Sequence, residues 1–144
     1  MPAHRSLVAA VPYLGRVSEL TPYICVADAR AAIEWYVDVL GAEVVYAPIE
    51  MPDGRIGHVE LAVEGARWMM ADEFEEAGVA APDTTRGSAV SQHLTVADVD
   101  AMAARVIAAG TSMDRGPEAR EPAGRVAVFR DPFGHRWFLN QPSG

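Results

Sequence analysis

Residues 20–43 read LTPYICVADARAAIEWYVDVLGAE, and residues 93–110 read HLTVADVDAMAARVIAAG. The two stretches share the letters Val-Ala-Asp, which stand at 26–28 and again at 96–98, an offset of 70 residues. In each stretch, strand-forming residues precede the shared letters and a helical pattern of apolar residues follows them. The sequence therefore predicts a strand followed by a helix, twice.

The similarity between the two halves continues along the chain. Gly-Arg-Ile at 54–56 matches Gly-Arg-Val at 124–126 at the same offset of 70 residues. GARWMM at 65–70 matches GHRWFL at 134–139 at an offset of 69 residues. The matched segments keep one order and occur in only two copies, with a period longer than that of the usual repeat arrays. We therefore interpret the chain as a duplicated module.

The first module, residues 19–72, has the pattern of one strand, one helix and three more strands. Asp28 is a good N-cap for the helix, and Gly41 is a typical residue to end it. Turn-forming residues at 51–54 and 64–65 separate the last three strands. The predicted elements are a strand at 19–26, a helix at 28–40 and strands at 43–49, 56–63 and 66–72.

The second module, residues 90–141, follows an acidic linker at 73–89 and repeats this order. Its predicted elements are a strand at 90–96, a helix at 98–109 and strands near 111–115, 125–130 and 135–140. Pro117 and Pro122 are expected in the loop between the first two of these last strands. The two modules predict a single α+β domain over 19–141, preceded by an N-terminal extension at 1–18.

Composition and charge limit the partners of the protein. The chain has 144 residues, with 20 acidic and 12 basic side chains and a net charge of −8. No basic stripe indicates a nucleic-acid partner, and the acidity favours a cationic ligand or simply keeps the protein soluble. The single cysteine, Cys25, cannot form an intramolecular disulfide, and no apolar run is long enough to cross a membrane. We expect a cytoplasmic protein with no membrane partner.

The two quoted stretches, together with RDPFGHRWFL at 130–139, resemble the vicinal oxygen chelate superfamily. That superfamily contains glyoxalase I, extradiol dioxygenases, fosfomycin-resistance enzymes and bleomycin-resistance proteins. HVEL at 58–61 and DPFGHRW at 131–137 most resemble its PhnB-like branch. The resemblance implies that the tandem βαβββ modules form a curved mixed sheet around a cavity, and that the protein is a homodimer.

In the superfamily, each module gives one metal ligand from its first strand and one from its last. Counted from the matching motifs, these positions fall at Thr21, Met69, Ser91 and Phe138. Hydroxyl groups are poor ligands for divalent metals, a thioether suits only soft ions, and a phenyl ring has no donor atom. We therefore predict that the protein has no metal at the family position and no other cofactor.

The alternation of side chains along each strand assigns one face to the cavity. If Thr21 faces the cavity, the residues that line it are Tyr23, His58, Glu60, Arg67, Met69, His93, Arg136 and Phe138. The residues between them pack against the helices. Tyr23 and His93 hold matching positions in the two repeats, so we expect both to lie near the pseudo-twofold axis of the cavity.

Several roles stay open for these side chains. His93 is a candidate general base, or a histidine satisfied by neighbouring groups. His58 and Glu60 are candidates for a His–carboxylate pair, and with His93 for a displaced metal site of two histidines and one carboxylate. A structural ion pair between Glu60 and Arg67 is the plainer interpretation. Cys25 is expected to be buried and inert.

These observations favour a metal-free small-molecule binding protein that sequesters a drug or metabolite. The alternative is a lyase, isomerase or dioxygenase-type enzyme of the same fold, with His93, Glu60 and His58 acting in acid–base chemistry or at a shifted metal site. A third hypothesis is a regulatory or structural dimer whose cavity is filled by side chains. No phosphate-binding loop or nucleophile elbow occurs in the sequence.

Overall fold

The computed structural model of the protein describes residues 17–144, and the expectations for most of the N-terminal extension lie outside this range. The first module contains β1 (Tyr23–Cys25), α1 (Ala29–Leu40), β2 (Glu43–Glu50), β3 (Ile56–Val63) and β4 (Ala66–Ala71). The second contains β5 (Ser91–Thr95), α2 (Val99–Ala108), β6 (Met113–Arg120), β7 (Gly124–Arg130) and β8 (Arg136–Gln141). One short 3₁₀ helix, Glu75–Ala77, lies in the linker. The predicted βαβββ order is confirmed in both modules.

Both helices begin at the predicted aspartates. The Asp28 carboxylate accepts a hydrogen bond from the Ala31 amide at 3.1 Å, and the Asp98 carboxylate accepts one from the Ala101 amide at 3.0 Å. These N-caps satisfy amides that the first helical turn leaves without a partner. Gly41 ends α1 in the left-handed conformation, with φ of 72°. Neither helix of residues 17–144 has the length and apolar character needed to span a membrane.

The strands form two mixed sheets, with the orders β1-β4-β3-β2 and β5-β8-β7-β6. In each sheet the first and last strands of a module pair in parallel, and the other pairs are antiparallel. The predicted α+β fold of tandem modules is thereby confirmed. Among residues 17–144 the two sheets are separate and do not form a continuous one.

Two strands differ in extent from the prediction. The sequence placed Pro117 in a loop, but β6 runs from Met113 to Arg120 and contains it. β6 is an edge strand with register shifts on both sides of Arg115, and an edge strand tolerates a residue that lacks an amide hydrogen. β1 has three residues, shorter than the predicted 19–26, since its described partner β4 aligns only with Tyr23–Cys25.

One apolar core joins both modules, and each sheet contributes one face to it. The indole rings of Trp68 and Trp137 meet there edge to face, with centroids 5.2 Å apart. The two tryptophans hold equivalent positions in the repeat, so the pseudo-twofold axis of the chain passes between them. The buried ring of Tyr36 in α1 packs against both.

The hydrogen bonds of these tryptophans break the symmetry. The Trp137 indole N–H donates to the buried carboxylate of Asp131 at 2.8 Å, whereas the Trp68 indole N–H has no partner among residues 17–144. The repeat places Ala62 where the second module has Asp131. Ala62 has no polar group, so the first module lacks the acceptor.

The predicted alternation along β3, β4, β5 and β8 places the expected apolar residues in the core: Val59, Leu61, Trp68, Met70, Leu94, Trp137 and Leu139. The other face of each sheet is turned away from this shared core. The axis between the modules is therefore occupied by packed tryptophans. Among residues 17–144, Tyr23 and His93 belong to two separate sheets, and their expected approach near the axis of a cavity stays a prediction.

Candidate functional site

The outward side of the first sheet gathers the predicted site residues of the first module. Met69 of β4 lies between Tyr23 of β1 and Glu60 of β3, and Glu60 in turn lies beside Tyr46 of β2. His58 and Arg67 flank this row on the same face. We call this surface the tyrosine face, and it comprises Tyr23, Tyr46, His58, Glu60, Arg67 and Met69.

His58 is held at the centre of the tyrosine face by four contacts. Its Nδ1 atom lies 3.0 Å from the Tyr23 hydroxyl, and its Nε2 atom lies 2.8 Å from a Glu60 carboxylate oxygen. The ring also meets Tyr23 and Tyr46 edge to face, with centroid separations of 5.3 and 5.4 Å. These contacts fix the imidazole in position and orientation.

The hydrogen-bond pattern also places the protons. The Tyr23 hydroxyl donates to the Gly57 carbonyl at 2.7 Å, so its single hydrogen is committed there. A carboxylate only accepts, so Glu60 requires a donor from Nε2 of His58. His58 therefore presents its Nε2 atom to Glu60, while its Nδ1 atom faces the Tyr23 oxygen.

Glu60 connects His58 to Arg67. One carboxylate oxygen accepts from His58 and the other accepts from the Arg67 guanidinium. The hydrogen bond from His58, and then that from Arg67, lowers the pKa of Glu60. Burial, and then the charge of Glu60, raises the pKa of Tyr23. The His–carboxylate pair and the Glu60–Arg67 ion pair are therefore both present, as one network.

An exposed aromatic rim lies around this charged network. The side chain of Glu60 is 13% exposed, whereas Tyr23 and Tyr46 are 54% and 50% exposed. Ile49 on β2, the direct partner of His58, adds further exposed apolar surface. Large apolar side chains left in solvent beside satisfied polar groups are typical of a surface that binds a partner or a ligand.

The predicted site residues of the second module lie on the outward face of the second sheet. His93 stacks on Phe138, its direct neighbour across the strands, with centroids 5.3 Å apart and an interplanar angle of 16°. The Arg136 guanidinium donates to the Ser91 hydroxyl at 2.6 Å. The chain thus brings its predicted site residues together in two groups, one on each sheet.

The residues at the family's metal positions do not fit a divalent metal ion. Thr21 and Ser91 offer only hydroxyl groups, and the Ser91 oxygen already accepts from the Arg136 cation. Met69 offers a thioether and Phe138 offers nothing. Within residues 17–144, no three His, Cys, Asp or Glu side chains are grouped to hold a metal.

The displaced metal site considered from the sequence is not assembled within one chain. His93 belongs to the second sheet, while His58 and Glu60 belong to the first. Both carboxylate oxygens of Glu60 are already engaged by His58 and Arg67.

Cys25 is buried, as expected. Burial, and then the charges of Glu73 and Asp72, raises the pKa of its thiol to about 11. The thiolate is the nucleophilic form of cysteine, so the side chain is unsuited to attack a substrate at neutral pH.

Tyr46 is the residue that the sequence reasoning missed. The pairing of β2 with β3 shifts register on both sides of Tyr46, so simple alternation along β2 does not assign its face. The strand sequence around it, EVVYAPI, is apolar at nearly every position. The alternation of polar and apolar residues therefore does not show which side chains of β2 face outward.

Known proteins match this chain along most of its length. An uncharacterized protein of Mycobacterium bovis is 36% identical over 126 residues, which cover 85% of this chain and 82% of that protein. Among solved structures, the antibiotic binding protein TnmS3 from a Streptomyces species has a TM-score of 0.64 at 31% identity, covering 88% of this chain and 98% of that one.

A second solved structure shares the fold alone. It is the fosfomycin resistance protein FosX from Listeria monocytogenes, with a TM-score of 0.65 at 16% identity, covering 89% of this chain and 94% of that one. Residues 14–139 match the family described as the glyoxalase/bleomycin resistance protein/dioxygenase superfamily. With its tandem βαβββ modules and this match over most of its length, the chain belongs to that superfamily.

Proposed function

We propose that this protein binds a small aromatic molecule on the tyrosine face and sequesters it without chemical change. One observation carries the proposal: His58 is clamped by Tyr23, Tyr46 and Glu60, while about half of each tyrosine stays exposed. A site whose side chains are already fixed loses little conformational entropy when a ligand binds. Exposed ring edges and faces offer stacking contacts to a planar ligand.

The local charges refine the class of ligand. The net charge of −8 attracts cations at long range. On the tyrosine face, however, both carboxylate oxygens of Glu60 are already engaged, by His58 and by the Arg67 guanidinium, so Glu60 offers no free oxygen to a cationic ligand. We therefore expect ring contacts, and not an ion pair, to select the ligand.

The cavity is proposed to close when two copies associate. The tyrosine face of one copy would meet the face of another that carries His93, Arg136 and Phe138. Residues 17–144 leave Tyr23, Tyr46 and His93 exposed and Arg136 and Phe138 half-buried. The exposed side chain of Ile49 continues the tyrosine face to the sheet edge. A homodimer built in this way would enclose the ligand between two sheets, as small-molecule sites require.

The known relatives support binding. TnmS3, described as an antibiotic binding protein, shares 31% of its residues with this chain. The proposal also includes membership of the PhnB-like branch, which the HVEL and DPFGHRW motifs resemble. Its single cysteine suits the reducing cytoplasm.

A binding experiment tests the proposal directly. The probes are bleomycin and the planar aromatic drug daunorubicin, titrated by calorimetry into the full chain. We expect saturable binding of one of them, weakened about tenfold in Tyr46→Ala, the loss of one aromatic contact. Ile107→Ala is the matched control, because it removes an exposed apolar side chain from α2. If neither drug binds, or if the two variants behave alike, the proposal fails.

A second candidate function is catalysis by His93. Its ring stacks on Phe138, and its nitrogens accept or donate no hydrogen bond among residues 17–144. An unengaged imidazole is suited to general acid–base chemistry. Turnover of a bound probe, followed by product analysis and lost in His93→Ala with the fold kept, would favour the enzyme over the binding protein.

A further inference from the structure

A cavity lies away from the tyrosine face, between the linker and the turn that joins β7 to β8. It has a volume of about 610 Å³, within the range of small-molecule sites. The linker forms one side of the cavity with residues 80, 82, 83 and 86–90. The other side is formed by Arg130, Gly134 and His135. None of these residues belongs to the surfaces described above.

The linker is pressed against the turn at one end of this cavity. Gly134 has φ of 94°, and a Cβ atom there would lie 3.0 Å from Thr84 and 3.1 Å from Pro82. Any larger residue would be strained and would push the linker away. This close approach fixes one wall of the cavity.

The charges that line the cavity are unbalanced. Arg86 and Arg130 form no ion pair with any carboxylate of residues 17–144, although Arg130 donates to the Gly134 carbonyl at 3.0 Å. Asp83 is the one carboxylate in the lining, and it accepts from the amide and hydroxyl of Thr85. Residues 1–16 contain no Asp or Glu that could supply another.

Arg130 also has a like charge beside it, although that residue does not line the cavity. Arg136 of β8 is the direct partner of Arg130 of β7 across the antiparallel pair. Like charges directly opposite each other on a sheet destabilise it, and a bound anion would offset that repulsion.

The rest of the lining suits an amphiphilic ligand. The Ser88 hydroxyl is buried and has no hydrogen-bond partner, although buried polar groups are normally paired. Ala80, Pro82, Ala89 and Val90 supply apolar surface. Arginine recognises carboxylate and phosphate groups through paired hydrogen bonds.

We propose that this cavity binds a small organic anion. Its carboxylate or phosphate group lies between Arg86 and Arg130, and its apolar part lies against Pro82, Ala89 and Val90 of the linker. This site is independent of the ligand on the tyrosine face.

Three probes of similar size test the site and distinguish the two oxyanions: phenyl phosphate, benzoate and uncharged benzyl alcohol. Each is titrated into the full chain, with amide chemical shifts of residues 80–90 as the readout. We expect saturable shifts with at least one anion and none with the alcohol. Stronger binding of phenyl phosphate assigns a phosphate site, and stronger binding of benzoate assigns a carboxylate site.

Arg86→Gln and Arg130→Gln should each weaken anion binding about tenfold, as the loss of one charged hydrogen bond predicts. Arg120→Gln is the matched control, since it removes the same charge at the other end of the β6–β7 pair. Arg86 lies in an exposed part of the linker, so its variant keeps the proposal testable if Arg130→Gln fails to fold.

Three results would overturn the proposal. They are the absence of saturable shifts with both anions, equal binding of the alcohol, and arginine variants that bind like Arg120→Gln. Tyr46→Ala should leave anion binding unchanged, which separates this test from that of the tyrosine face.

Discussion

The Tyr36 hydroxyl in α1 donates a hydrogen bond to the carboxylate of Asp131, 95 residues further along the chain, in the β7–β8 turn. Asp131 is only 4% exposed and also accepts from the Trp137 indole and from the amides of Phe133 and His135. Burial, and then the charge of Asp131, raises the pKa of Tyr36 well above its ordinary value of 10.0. A single buried carboxylate thus ties the two modules together.

Replacing Tyr36 by phenylalanine tests the strength of this tie. The variant keeps the ring but removes one donor from a buried carboxylate, so the free energy of unfolding should fall by about 1–3 kcal/mol. Urea denaturation measures the change. Tyr46→Phe is the control, because its hydroxyl is on the exposed rim, and it should change stability by less than about 0.5 kcal/mol. Equal effects of the two variants would contradict a structural role for Tyr36–Asp131.

The two tryptophans on the pseudo-twofold axis should respond differently to the same substitution. Trp137→Phe removes the indole donor to Asp131 and a large buried ring, whereas Trp68→Phe removes a similar ring whose N–H has no described partner. We expect Trp137→Phe to cost about 1–2 kcal/mol more than Trp68→Phe. Thermal unfolding of both variants measures the difference, and a larger loss in Trp68→Phe would refute it.

The network of the tyrosine face predicts a pH dependence. The pKa of Glu60 is lowered from its ordinary value of 4.5 by His58 and then Arg67. A carboxyl whose pKa is lowered in the folded state contributes stability above its unfolded pKa, and this contribution is lost as the pH falls through the folded pKa. Stability should therefore decrease below pH 4.5, and Glu60→Gln should lose less than the wild type.

Other acidic residues also titrate in this range, so the comparison needs a control. Glu75→Gln changes an exposed carboxyl that forms no ion pair with a described residue. Urea denaturation at a series of acidic pH values should show the wild-type slope in this variant. A Glu60→Gln curve parallel to that of the wild type would show that the network does not stabilise the fold.

Cys25 should react slowly with thiol reagents. Its pKa of about 11 leaves almost no thiolate at neutral pH, and the side chain is buried. We expect Ellman's reagent to label the native protein far more slowly than the protein in urea, with no loss of ligand binding. Rapid labelling of the native chain would show that β1 opens readily or that the thiol is activated.

The sequence could predict the helices and the two faces of most strands because these depend on local patterns. Asp28 and Gly41 mark the ends of α1 through hydrogen bonds and backbone conformation within a few residues. The alternation around His58 and Glu60 follows from one buried face of β3. The two-residue period of strand side chains and the capping residues of helices are enough to predict such features.

Other features depend on contacts between distant parts of the chain. The place of Pro117 inside β6 depends on that strand lying at a sheet edge. The face of Tyr46 depends on bulges in β2, and the meeting of Trp68 with Trp137 depends on how the modules pack. The cavity beside Arg130 requires the linker to cross the β7–β8 turn. None of these relations leaves a periodic signal in the sequence.

The contact between Trp68 and Trp137 joins equivalent positions of the repeat, as the subunits of a symmetric dimer join identical patches. The linker makes this association intramolecular. Each module therefore meets the other at a high effective concentration that does not depend on how far the protein is diluted. The midpoint for unfolding this core should therefore not vary with protein concentration. A concentration dependence would instead indicate that whole chains associate, as the proposed dimer of outward sheets requires.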